Sequence, residues 1–161
     1  MKTNYEIYTR AGLKIIPLHN PESDGTCSCK NKECKSIGKH PRIKNWQEEA
    51  SSDLSKVQGW INKWPNMNIG IVTGSASKTL AVDVDPRNGG DKSLENFEKE
   101  HGPLPKTLIV KTSGGGKHFY YRYPDNIKLS NRQDILPGVD IRGEGGYIVA
   151  PPSKHVSGIT Y

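Results

Sequence analysis

Apolar residues are scarce in this chain. Only 33% of its 161 residues are hydrophobic, aromatics contribute 7%, and there are just two phenylalanines and two methionines. No apolar run approaches the roughly 20 residues that a membrane-spanning helix needs, so no membrane partner is expected. The opening stretch, MKTNYEIYTRAGLKIIPL, has neither an apolar h-region nor a small-residue cleavage site. A secretory leader is therefore not expected, and the expected location is cytoplasmic. Cysteines number three, an odd count that argues against a disulfide framework. No internal repeat or low-complexity linker divides the sequence, and collagenous and coiled-coil classes are excluded with the membrane class. The chain reads as one domain over 1–161, long enough to bury roughly two-thirds of its unfolded surface without a staple.

Glycine and proline, by contrast, are plentiful at 17 and 11 residues, which predicts many turns and short strands. Lys and Arg exceed Asp and Glu by 23 to 17, giving a net charge of +6. That excess suggests a polyanionic partner only weakly, since it is also an ordinary solubility charge. Its placement is more telling. Lys30, Lys32, Lys35, Lys39, Arg42 and Lys44 are opposed locally by Glu33 alone, and Lys106, Lys111, Lys117, Arg122, Lys128 and Arg132 by Asp125 alone.

Residues 4–11 suit a short helix and Leu13–Leu18 a strand. Asp53 is placed to cap a helix in which Leu54, Val57, Trp60, Ile61 and Trp64 recur at helical spacing, so the tryptophans are expected in the core. Strands are predicted at Asn68–Thr73 and Thr79–Val84, around a turn at Gly74–Ser77. Asp91 is expected to cap a helix over Lys92–His101, with Leu94 and Phe97 inward and Gly102-Pro103 as its stop. Further strands are predicted at Thr107–Thr112, His118–Tyr123, Val139–Arg142 and Tyr147–Ala150. Strands outnumber helices and pair largely through turns, which predicts an α+β fold with a largely antiparallel sheet.

All three cysteines fall in a polar segment, residues 19–45, that is nearly free of apolar residues to fold around. Cys27, Cys29, Cys34 and His40 form a Cys3His set within fourteen residues. Zinc takes four thiolate or imidazole ligands tetrahedrally, and closing the loop on a metal supplies folding energy that its composition cannot. One structural Zn2+ in a 26–41 insert is expected. Three unrelated thiols are the plainer alternative.

Leu80-Ala-Val-Asp-Val-Asp85 alternates, placing Asp83 and Asp85 on one face with Cα atoms roughly 6–7 Å apart. Such carboxylates can converge on divalent cations, though a solvated acidic turn would look similar. Ser113-Gly-Gly-Gly-Lys-His118 is a glycine-rich turn feeding a strand. Its amides, with Lys117 and His118, could approach a phosphate, although it lacks the P-loop pattern. In Val139-Asp-Ile-Arg142, Asp140 and Arg142 share a face. Asp140 could be a third carboxylate and Arg142 a phosphate contact, or the two a surface ion pair. Three acids beside a His/Lys/Arg cradle are what metal-assisted phosphoryl or nucleotidyl transfer uses.

Taken together, Asp83-Val-Asp85, Ser113–His118, Asp140-Ile-Arg-Gly143 and Gly145-Gly-Tyr-Ile-Val-Ala-Pro-Pro-Ser153 resemble the bifunctional DNA primase/polymerase (prim-pol) domains of plasmids, phages and prophages, in the archaeo-eukaryotic primase superfamily. Gly38-Lys-His-Pro41, Asn68–Gly74 and His101-Gly-Pro-Leu-Pro105 extend the resemblance along most of the chain. It implies an RRM-like antiparallel sheet with a small N-terminal α/β portion and a zinc-binding loop. It further implies that Asp83, Asp85 and Asp140 hold two Mg2+ or Mn2+. His118 would contact the incoming triphosphate, assisted by Ser113, Gly115, Gly116, Lys117 and Arg142. The implied partners are single-stranded DNA template, primer and (d)NTPs, with a helicase module fused C-terminally or acting in trans. Without such a C-terminal extension, template binding or initiation is expected to weaken. Two other readings remain: a metal-dependent nuclease using the same acids, and a non-catalytic zinc-bearing nucleic-acid-binding module. A rolling-circle nickase is disfavoured, because no His-x-His pair occurs.

Overall fold

Short antiparallel strands dominate the architecture, as the turn-rich composition predicts. The structure is a computed structural model and describes residues 4–161. It is α+β, with two antiparallel sheets and few helices. The described residues divide into two compact units, one formed by the chain up to Val72 with 147–161 and the other by Thr73–Gly146.

The first unit holds α1 (Asn4–Arg10), β1 (Ile15–Leu18), α2 (Trp46–Glu49), α3 (Leu54–Lys63), β2 (Asn68–Val72) and the last strand, Tyr147–Ala150. Its sheet runs β1, β2, Tyr147–Ala150, antiparallel throughout. Every residue of β1 and β2 is buried, and Gly70 is tightly enclosed among them: a Cβ there would lie 3.0 Å from an Ile16 side-chain carbon. Asp53 caps α3 as its position predicts, its carboxylate accepting from the amides of Ser55 at 2.7 Å and Lys56 at 3.4 Å. The expected apolar face is thinner than its spacing suggests. Val57 is fully buried, but Leu54 is exposed and Trp60 and Trp64 are half-buried with cations over their rings.

The polar 19–45 stretch is held down by hydrogen bonds rather than by a core. Asn68, itself buried, donates to the carbonyls of Gly38 and Lys154 and accepts from the Lys154 amide. Arg42 reaches the Leu18 carbonyl, Asn20 and Ser28, while the Tyr147 hydroxyl donates to the Lys39 carbonyl.

In the second unit come β3 (Thr79–Val84), a 3-10 turn (Pro86–Asn88), α4 (Gly90–His101), β4 (Leu108–Lys111), β5 (Lys117–Arg122), β6 (Arg132–Leu136) and β7 (Val139–Arg142); Tyr147–Ala150 is then β8. The sheet order is β4, β5, β3, β7, β6, which puts β3 in the middle. Thus β2 and β3, expected as neighbours around one turn, belong to different sheets, and β2 pairs with β8 instead. α4 packs against β3, β6 and β7. It begins two residues before Lys92, with Gly89 at the cap in the left-handed region (φ 82°), so Asp91 sits in the first turn rather than capping it. A carboxylate there still favours the helix through its dipole.

Candidate active site

Backbone register builds the site. Asp83 on β3 lies directly opposite His118 on β5 and opposite Asp140 on β7. One lateral row across three strands therefore reads His118, Asp83, Asp140. Alternation puts their side chains on one face, and the neighbouring Val84 on the face that meets α4. One row further along, Tyr120, Ala81 and Arg142 share the face of Asp83.

The side chains of this row are in contact. His118 is 4% exposed, and its Nε2 stands 3.4 Å from Asp83 Oδ1. Arg142 donates from one terminal nitrogen to Asp140 Oδ2 at 2.6 Å and to Asp83 Oδ2 at 3.2 Å. Two carboxylates facing each other across adjacent strands would repel, and this guanidinium offsets the repulsion. The second oxygen of Asp140 accepts from the Asp134 amide at 2.9 Å. Asp134 has φ 48° at the irregularity between β6 and β7. That strand was not anticipated, because Arg132-Gln-Asp-Ile-Leu136 is an almost wholly exposed edge without apolar alternation.

Asp85 stands apart from the row. β3 ends at Val84, and Asp85 caps the 3-10 turn, its Oδ1 accepting from the Arg87 amide at 3.0 Å. The Arg87 side chain then grips the same carboxylate with both prongs, Nε to Oδ1 at 3.0 Å and a terminal nitrogen to Oδ2 at 2.7 Å. Arg87 belongs to none of the motifs that mark the other site residues in the sequence. The available signal was Asp-Pro, a cap followed by proline at the first helical position, which folds the next side chain back onto the cap.

The glycine-rich turn leans on this segment. A Cβ on Gly116 would meet the Val84 carbonyl oxygen at 2.4 Å, and one on Gly114 would lie 3.4 Å from the Arg87 Cζ. Gly115 adopts φ 82°. The amides of Gly115 and Gly116 donate to the carbonyl and the hydroxyl of Thr112, each at 3.0 Å. Those glycines thus serve close approach here, and their donors close the turn itself. The Ser113 hydroxyl oxygen is buried without a hydrogen-bond partner. Lys117 lies on the opposite face of β5 from His118, lining a cleft of about 260 Å³ with Val84, Leu94, Glu95 and Glu98.

A separate centre lies in the first unit. Among the described residues, the set of metal-ligating side chains that converges is Cys27, Cys29, Cys34 and His40, whose ligand atoms all lie within 4.8 Å of one another. A tetrahedral zinc needs separations of roughly 3.3–3.8 Å, so this Cys3His cluster could close on zinc with small shifts. Burial raises the Cys27 thiol pKa, but the backbone amides of Cys29 and Gly38 outweigh it and hold the group below its ordinary value. His40 Nδ1 is 3.9 Å from Cys34 Sγ and 2.9 Å from the Ser36 carbonyl, and its ring stacks on His19 at 4.5 Å. Burial, with Arg42 and His40 nearby, pushes the His19 pKa down to about 4.

Adjacent carboxylates on a central antiparallel strand pair, a buried histidine beside them and a glycine turn at the strand end are features shared with phosphoryl-transfer proteins. The family described as bifunctional DNA primase/polymerase, N-terminal, has a model that matches residues 6–161. The chain belongs to that family, and so to a primase/polymerase nucleotidyl-transfer family. No curated protein matches it. No helix of the described residues is long and apolar enough to cross a membrane.

Proposed function

We propose that the chain is a primase-polymerase that transfers nucleotides from (d)NTPs to a 3′-hydroxyl on a single-stranded DNA template, making or extending primers in plasmid, phage or prophage replication. The observation that carries this reading is the cross-strand row of His118, Asp83 and Asp140, in a chain of this family. Carboxylate oxygens are the ligands that Mg2+ and Mn2+ take, and Asp83 and Asp140 present theirs side by side. Asp85 completes the set once its carboxylate is released by Arg87. When bound, two such cations would lower the pKa of the attacking hydroxyl and offset charge on the transferring phosphorus.

The remaining work falls to the chain's own groups. His118, fixed by burial beside Asp83, donates to the triphosphate, and Ser113 borders the turn on which that triphosphate rests; Lys117, on the other face of β5, adds positive charge only at the strand end. Arg142 holds Asp83 and Asp140 together and meets developing phosphate charge. The bond from the 3′-oxygen to the α-phosphorus forms as the bond to the bridging oxygen breaks; the hydroxyl proton passes to solvent and pyrophosphate leaves. The zinc loop stabilises the first unit. A helicase module, fused C-terminally or in trans, would supply unwound template.

Primer extension on a single-stranded template with Mn2+ and dNTPs tests the reading. Asp83→Ala is expected to lower extension by about a hundredfold or more, since it removes charge at the reacting centre. Equal extension by the variant removes the site assignment. Failure of the wild type to extend a primer sinks the polymerase reading. Cleavage without any triphosphate requirement would make the protein a nuclease.

A further inference from the structure

Arg87 lies between the two halves of the proposed chemistry. Its guanidinium clasps both oxygens of Asp85, at 3.0 and 2.7 Å, and it also underlies the glycine-rich turn, 3.4 Å from where a Gly114 Cβ would stand. Its side chain is 60% exposed, whereas that of Asp85 is 27% exposed. The exposed arginine head can swing outward, while the Arg87 amide on Oδ1 and the Asn88 side-chain amide, which donates to Oδ2 at 3.3 Å, keep the carboxylate in place. The amides of Gly115 and Gly116 are already used by Thr112, so a phosphate at this turn would draw on side-chain cations. A guanidinium fork fits carboxylate and phosphate oxygens equally well, and one fork cannot serve both.

We propose that Arg87 is a hand-over residue: it masks Asp85 in the nucleotide-free protein and transfers its fork to the phosphates of the arriving triphosphate, which unmasks Asp85 for a divalent cation. This rests on the nucleotidyl-transfer reading and adds to it a positioning residue with a definite order of events. Triphosphate binding and cation binding at Asp85 then reinforce each other through the chain itself, by the reciprocity that governs any coupled pair of sites. Premature cation binding at Asp85 is suppressed for as long as no triphosphate is present.

The variants Arg87→Ala and Arg87→Lys test this in binding experiments on the full chain, without turnover. The backbone cap from the Arg87 amide to Asp85 is retained in both, so the turn keeps its anchor. Mn2+ alone is titrated by electron paramagnetic resonance of the free ion; inorganic triphosphate is titrated in EDTA by calorimetry. In Arg87→Ala, Mn2+ is expected to bind roughly two- to fivefold more tightly, the worth of an exposed ion pair released. Triphosphate is expected to bind about tenfold more weakly, the loss of a charge-assisted contact. Arg87→Lys keeps the charge but not the fork, and falls between. His118→Ala is the reference for triphosphate, whose binding it weakens without touching the Asp85–Arg87 pair. Unaltered or weaker Mn2+ binding in Arg87→Ala overturns the masking. Unaltered triphosphate binding there, with His118→Ala impaired, overturns the hand-over while the nucleotidyl-transfer reading survives. If neither variant changes triphosphate binding, both fall together.

Discussion

Gly90→Ala sets two physical effects against each other. Gly90 is the first residue of α4, where alanine would ordinarily stabilise by about 1 kcal/mol. A Cβ at this position, however, would lie 2.3 Å from the Gly138 carbonyl oxygen and 2.8 Å from that of Asp85. Both obstacles are backbone, well inside contact distance, and neither can rotate away. The Gly138 carbonyl also accepts from the Asp85 amide at 2.8 Å, so displacing it breaks that bond as well. Overpacking of this kind costs about 1–3 kcal/mol, and a lost bond to a confined amide about 1–3 kcal/mol more. Against the helix gain, the net expectation is a loss of about 1–5 kcal/mol. Gly59→Ala is its counterpart, since that glycine sits within α3 with nothing within 4 Å of its Cβ position. The same substitution there should stabilise by about 0.5–1 kcal/mol. Urea unfolding followed by far-UV circular dichroism reads both. Trp46, Trp60 and Trp64 all lie in the first unit, so their fluorescence reports Gly59→Ala separately from events around Gly90. A Gly90→Ala protein as stable as the wild type, or more so, would refute the steric argument.

Two further outcomes are expected. Metal analysis should find about one zinc per chain, lost in Cys29→Ser/Cys34→Ser; a double variant that keeps its zinc discards this ligand set. Burial pushes the Tyr8 phenol up to about 12, and its hydroxyl donates to the Pro151 carbonyl at 2.7 Å. Its folded pKa exceeds the unfolded value near 10, so its contribution is complete below about pH 10 and lost as pH rises toward 12. Tyr8→Phe should cost about 1 kcal/mol at neutral pH and flatten that alkaline decline; parallel losses in both proteins would contradict the assignment.

The candidate site was legible where it depended on strand periodicity. Asp83, His118, Asp140 and Arg142 all lie on regularly alternating strands, and register alone brings them to one face. Legibility ended with the strand. Whether Asp85 continues the row depends on where β3 stops, and Pro86 turns it into a cap that Arg87 then grips. The glycines of residues 113–116 read as phosphate-facing donors, yet the Thr112 hydroxyl and carbonyl close that turn from within, a contact that spacing does not encode. Likewise β2 and β3 look like a hairpin locally, and the pairing of β2 with β8 emerges only across the intervening segment. The Cys3His cluster needed no long-range information, because all four residues fall within one short loop.

The second unit is one uninterrupted segment, Thr73–Gly146, whereas the first is built from two pieces of chain that meet where β2 pairs with β8. Val72 and Tyr147, on either side of that segment, are direct partners, and the Thr73 amide donates to the Gly146 carbonyl at 3.0 Å. Were the segment unfolded, bringing β8 to β2 would cost roughly 4 kcal/mol in loop closure. Once folded, it delivers its own two ends side by side, and that entropy has already been spent. During synthesis the whole of the carboxylate-bearing sheet thus emerges before the sheet of the first unit can receive its last strand, and the connectivity itself sets that order.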